Sequence, residues 1–200
     1  MSSSRDAPPP DYSETVIRPV SWSKQLGVVR RLFREYRDWM AEHAGLGIDS
    51  GATVPIGIAA LDRELGELPG PYGPPRGDVL LAFHRAELVA CGAVREFEPG
   101  VGEIKRIYVR ADHRGPVFGP RFARASLDRA RELGYERVRV DALSTMEAAI
   151  HFYQELGFEP IPAYWAHPVP GALFFEWSAR ALSSPERPSN AARSREESIR

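Results

Sequence analysis

EIKRIYVRADHRGPVFGPRFARASLDRARELGYERVRVDALSTMEAAIHFYQELGF, residues 103–158, decides the fold of this chain. Residues 102–110 read as a strand whose apolar side chains change phase: Ile104 lies on one face, whereas Ile107 and Val109 have the opposite parity. One extra residue near Lys105–Arg106 reconciles them, because a bulge flips which side chains face the core. The spacing of Phe122, Ala123, Leu127, Ala130 and Leu133 predicts a helix over 120–133, with Pro120 at its tolerated first position and Gly134 as its stop. Residues 137–143 alternate as a strand. Ser144 and Glu147 have the spacing of a capping box for a helix that carries Ala149, Phe152, Tyr153 and Leu156 on one face and ends at Gly157.

Upstream, a short β-rich run covers 15–20, and Leu26, Val29, Leu32, Phe33, Tyr36 and Met40 predict an amphipathic helix over 23–43. A weaker helical pattern covers 58–68, with Leu61, Leu65 and Leu68 on one side, and the cluster PGPYGPPRGD stops it. Strands over 79–84 and 88–97 form a hairpin reversed at residues 85–87. Downstream, 158–161 and 172–177 supply two last strands. The order mixes hairpins with one β-α-β crossover, which places the chain in the α+β (mixed α/β) class. Residues 1–14 and 180–200 combine Ser, Pro and charge without periodicity and are expected to be disordered tails around one domain over 15–179.

The pieces IYVRADHRG, LGYERVRVDAL and AAIHFYQELGFEPI resemble the diagnostic motifs of the GNAT (Gcn5-related N-acetyltransferase) superfamily. The element order over residues 15–177 is similar as well. The resemblance implies a central, mostly antiparallel twisted sheet with a bulged fourth strand, flanked by about four helices. It also implies acetyl-CoA as co-substrate, bound where a glycine-rich turn opens a helix. Unpaired backbone N–H groups and the positive end of the helix dipole suit a pyrophosphate there.

Arg114, Gly115 and Gly119 match the family's loop, while Val117 stands where the family has its middle glycine. If the backbone at 117 needs positive φ or a close approach to phosphate, a β-branched side chain crowds it. Pro116 and Pro120 also lack N–H donors. By the resemblance, Arg114, Gly115, Phe118 and Gly119 hold the cofactor at this loop, Ile107 and Val109 lend strand backbone to its pantetheine arm, and Met146 lines its channel. Tyr153 matches the tyrosine that protonates the departing thiolate, and a phenol of pKa about 10 suits that task. Glu103, at the start of the bulged strand, is the candidate base for the acceptor ammonium, acting directly or through water; its bland alternative is a solvated strand-end carboxylate.

The expected function is that of an acyl-CoA-dependent N-acyltransferase, an N-acetyltransferase, acting on a small amine or amino-acid-like acceptor by direct transfer. The alternative is a protein of the same fold whose altered loop serves a binding or regulatory role, or a non-acyl-transfer biosynthetic reaction.

Composition narrows the rest. A net charge of −1 supplies no field for phosphate backbones or anionic lipid, so neither a nucleic-acid nor a membrane partner is expected. Expected partners are the small-molecule amine acceptor and a second copy of the chain as a homodimer. The single cysteine, Cys91, excludes a disulfide framework within one chain, and with no signal-like or membrane-length apolar run the expected location is the cytoplasm. His43, His84, His151 and His167 have no ligand spacing with one another or with Cys91, so no metal is expected, and His113 reads as a turn residue. Ser144 reads as a cap rather than a nucleophile. Residues 164–171, rich in aromatic and turn residues, form either a wall of the acceptor pocket or a packed connection.

Overall fold

A computed structural model describes residues 11–43, 56–166 and 170–179. The expected tails at 1–10 and 180–200 lie outside the described residues. Asp11–Glu14, read as part of the first tail, are placed: Tyr12 is buried, with its ring against His84, His113 and Phe118. A lone aromatic among Ser and Pro carries no periodicity, so its docking was invisible to a pattern reading.

The elements run β1 (Thr15–Pro19), α1 (Trp22–His43), α2 (Ile56–Glu67), β2 (Asp78–His84), β3 (Glu87–Glu98), β4 (Val101–Val109), α3 (Phe118–Glu132), β5 (Arg137–Leu143), α4 (Glu147–Glu155), β6 (Glu159–Ile161) and β7 (Ala172–Ser178). They form one seven-stranded sheet of order β1-β2-β3-β4-β5-β7-β6. Every neighbouring pair is antiparallel except β4 and β5, which α3 connects as the expected crossover.

Helices α1 and α2 cover one face of the sheet. The i, i+3, i+4 row of α1 buries Val29, Leu32 and Phe33 against Val79, Leu81, Cys91 and Ala93 of β2 and β3. The other face belongs to α3 and α4. There Ala123, Leu127 and Ala130 of α3 and Tyr153 of α4 pack on Ile104, Val138, Val140 and Ala142. Alternation along β5 therefore sorts its residues cleanly: Val138, Val140 and Ala142 face α3 and α4, while Arg137, Arg139 and Asp141 have the other parity.

The bulge falls where the phase change put it. Cys91 pairs with Tyr108 and Ala93 with Lys105, so Arg106 and Ile107 together oppose Gly92. Arg106 adopts φ +58, which costs a non-glycine residue about 1–2 kcal/mol. Gly92 is equally constrained, because a Cβ there would lie 2.8 Å from the Phe122 ring of α3. Helix α3 thus sits on the sheet at the bulge.

Two helix starts differ from expectation. α3 begins at Phe118, so Pro120 is its third residue, still within the turn whose N–H groups have no intrahelical acceptor. The capping box does not form: α4 begins at Glu147 with Met146 as its N-cap and no side-chain cap, while the Ser144 N–H donates to the Gly171 carbonyl. Both helices end on the expected glycines, Gly134 at φ +90 and Gly157 at φ +86.

Candidate active site

The register of β4 against β5 creates the site. Val101, Gly102, Glu103 and Ile104 pair with Arg137, Val138, Arg139 and Val140, and the pairing stops there. Beyond Ile104 the bulge turns β4 away, so the facing edges of Lys105–Val109 and Asp141–Leu143 have no strand between them. An opening between two strands offers backbone donors and acceptors to an extended ligand, as an unpaired sheet edge does.

The loop after β4 lies beyond this opening. A short 3-10 turn, Ala111–His113, leads into it. Among the described residues, the N–H groups of Gly115, Val117, Phe118 and Gly119 donate to no backbone carbonyl. They sit where α3 begins and concentrate positive potential there. Val117 corrects the reading that valine crowds this turn: its φ of −96 is in the right-handed region, and its side chain is 49% exposed. Phe118 is fully buried, so only its backbone faces the loop. Gly119 is held by packing, since a Cβ would lie 2.9 Å from the Phe152 ring of α4. The Arg114 guanidinium stacks over Trp39 and Tyr108, and its Nε donates to the Val109 carbonyl at 2.8 Å. Arg121, one turn into α3, donates to the Tyr12 and Thr15 carbonyls and ties the N-terminal segment to the loop.

On the α3–α4 side of the opening stands Tyr153. It is 6% exposed, with its ring against Phe158 and Phe175, and its hydroxyl has no hydrogen-bond partner among the described residues. Burial pushes the phenol above its ordinary value, and Asp141 and Tyr36 act in the same direction. The phenol therefore keeps its proton through the neutral range. Ile107 and Val109 are half-buried toward α3, and Met146 is half-buried at the α4 start.

The α1–α2 side is polar and was largely illegible in the sequence. Glu103, expected as a solvated strand-end carboxylate or a base, is fully buried. It accepts from Arg95 at 2.7 Å and from the Tyr164 hydroxyl at 3.1 Å, and lies 3.4 Å from Lys105 Nζ. Lys105 donates to Asp141 at 2.8 Å and has the Trp165 ring centroid 3.9 Å from its Nζ. Asp141, with 35% of its side chain exposed, is the accessible carboxylate at the mouth. Glu64 of α2 receives Arg106 in a fork at 2.7 and 2.9 Å and accepts from the Tyr72 hydroxyl at 2.9 Å. That pair holds the bulge residue in its strained conformation. Residues 164 and 165 thus pack against Glu103 and Lys105 on this polar side. The described residues contain no group of His, Cys, Asp or Glu able to hold a metal ion, and no helix long and apolar enough to cross a membrane. The His43 side chain and His167 lie outside the described residues.

A family model described as the Acetyltransferase (GNAT) family matches residues 57–158, about half of the chain. An uncharacterized N-acetyltransferase of Schizosaccharomyces pombe is 33% identical over 116 residues, 57% of this chain and 71% of that protein. Another from Escherichia coli is 28% identical over 137 residues, 67% of this chain and 74% of its own length. Among solved structures, the PaiA N-acetyltransferase of Thermoplasma acidophilum in complex with coenzyme A shares the fold, with a TM-score of 0.59 and 17% identity, covering 82% of this chain and 98% of that one.

Proposed function

Because the chain belongs to the acetyltransferase (GNAT) family, we propose that it transfers an acetyl group directly from acetyl-CoA to the nitrogen of a small amine or amino-acid-like acceptor. The observation that carries this reading is the parting of β4 and β5 after Ile104 and Val140, with a phenol that has no hydrogen-bond partner among the described residues on one side and an accessible carboxylate on the other. The loop N–H groups of Gly115, Val117, Phe118 and Gly119 suit the pyrophosphate of coenzyme A, and the open edge of Ile107 and Val109 suits the amides of its pantetheine arm. Phe118 takes part through its backbone, Gly119 by letting α3 approach α4, Arg114 by holding the Val109 carbonyl, and Met146 by lining the channel where α4 begins.

An acceptor amine arrives protonated and must lose a proton before its lone pair can attack the thioester. Asp141 is placed to accept that proton directly, whereas Glu103, sealed under Tyr164 and Lys105, acts at one remove by holding Lys105 in place. Tyr153 gives its proton to the departing sulfur from the opposite side. The valine at 117, in a right-handed conformation with an exposed side chain, takes away one support of the regulatory alternative, while Pro116 and Pro120 still contribute no N–H to the loop.

Titration calorimetry with acetyl-CoA tests the proposal: one site per chain is expected. Val117→Asp, which sets a carboxylate beside the free N–H groups without disturbing the core, should weaken that binding by roughly tenfold without lowering the melting temperature, since aspartate at this uncapped helix start stabilises α3. No heat and no thermal shift at millimolar acetyl-CoA would overturn the reading.

A further inference from the structure

The chain has 26 basic residues, and only Lys24 and Lys105 among them are lysines. Arginine fills the neighbouring ion pairs at Arg95, Arg106 and Arg139. At 105, however, the chain places a lysine with 5% of its side chain exposed. A guanidinium would offer more donors to two carboxylates, but it cannot be deprotonated, whereas an ammonium can become a nucleophilic amine.

The surroundings of its Nζ are those of an ammonium-binding cage. Asp141 lies at 2.8 Å, Glu103 at 3.4 Å and the Trp165 ring centroid at 3.9 Å. Carboxylates and an indole face are the groups that recognise alkylammonium ions. The cage stands at the first residue pair past Ile104 and Val140, at the apex of the opening. Tyr153 lies on the other side of the sheet, in the core cluster that holds Ile104 and Val140, the last pair before the opening, and Asp141 adds to burial in raising its pKa. An amine and a proton donor thus flank one gap, and the amine is the chain's own.

We propose that Lys105 is a self-acetylation site, its Nζ occupying the acceptor position and taking the acetyl group from acetyl-CoA bound between β4 and β5. The idea rests on the acetyl-CoA reading above. In the step, the ammonium loses one proton to Asp141 and thence to water. Nζ then forms a bond to the acetyl carbon, the carbon–sulfur bond breaks, and the second proton leaving nitrogen is balanced by the one Tyr153 delivers to the thiolate. The products are N-acetyl-lysine, coenzyme A and one released proton. Modification of this kind runs once per chain and removes the positive charge from between Glu103 and Asp141.

Lys24 supplies an internal control. It is exposed at the start of α1, so uncatalysed acetylation in solution favours it over the shielded Lys105. The test incubates the full chain with acetyl-CoA and no acceptor, and follows intact mass, coenzyme A release and the modified peptide. The expected result is one acetyl group per chain on Lys105 ahead of Lys24, with matching thiol release. Lys105→Arg should abolish the modification, and Asp141→Asn should slow it by about 100-fold. Mapping on the parent chain decides the matter even if a variant fails to fold. Acetylation confined to Lys24, or none at all while calorimetry registers acetyl-CoA binding, would overturn the proposal and leave the acyltransfer reading intact. Absence of acetyl-CoA binding would overturn both.

Discussion

The two faces of the β4–β5 pair are built from the same alternating strands and do opposite work. Toward α3 and α4 the pair presents Ile104, Val138, Val140 and Ala142, which join the aliphatic core under Leu127 and Tyr153. Toward α1 and α2 it presents Glu103, Lys105, Arg139 and Asp141, and the adjacent bulge residue Arg106 reaches Glu64. Glu103 and Lys105 are buried as the apolar residues are, but the apolar face is stabilised by area removed from water and the buried polar groups only by complete pairing. A deletion on the first face should cost packing, whereas a deletion on the second should strand a charge.

The largest effect that separates the faces is expected at Glu64. Glu64→Gln leaves Arg106 without its carboxylate and the φ +58 bulge without its tie, and should destabilise the fold by about 3–5 kcal/mol. Leu127→Ala on the apolar face should cost about 2–5 kcal/mol. The losses are similar, but only Glu64→Gln should also weaken acetyl-CoA binding, because it alone loosens the strand that turns away from β5. Denaturant midpoints at constant m, read beside calorimetry, check this. Equal binding by both variants would dissolve the distinction.

A smaller, pH-dependent contrast comes from Glu176. Burial raises its pKa, but the hydrogen bonds and charges of Arg137 and Arg139 outweigh that and bring it below its ordinary 4.5. Its folded value is depressed, so its stabilisation is present above pH 4.5 and is lost as the pH falls through the folded value. Glu176→Gln should flatten the stability profile below about pH 4.5, while Leu127→Ala should shift the whole profile without changing its shape.

How much of this was legible follows the same division. The bulge was readable because Ile104 and Ile107 disagree in parity, and the helix ends because Gly134 and Gly157 interrupt periodic runs. The Glu64 pair was not, since its partner lies 42 residues away and charge carries no period. Asp141 and Lys105 each looked like ordinary polar positions of alternating strands; only the register that makes them first neighbours across the opening gives them a role. Residues 144 and 147 had the spacing of a cap, but the Ser144 N–H was already taken by Gly171 from the β6–β7 connection. Tyr153 was read from its motif, and the structure adds its burial beside Phe158 and Phe175.

Val117 is where the smallest effect is expected. With φ at −96 its valine is unstrained, so Val117→Gly recovers no lost donor and only frees the unbound loop, at a cost of up to about 1 kcal/mol. Acetyl-CoA affinity should stay level or fall by no more than about fivefold. Tightening would mean that the bound loop takes a backbone conformation that valine resists.

The most direct test of acyl transfer across the opening is turnover of Tyr153→Phe on any amine that the parent chain acetylates. The hydroxyl has no hydrogen-bond partner among the described residues and the ring carries the packing, so fold and acetyl-CoA affinity should be unchanged while kcat falls by about 10–1000-fold. Unchanged kcat in the variant would contradict the account and leave Tyr153 as a packing residue of the apolar face.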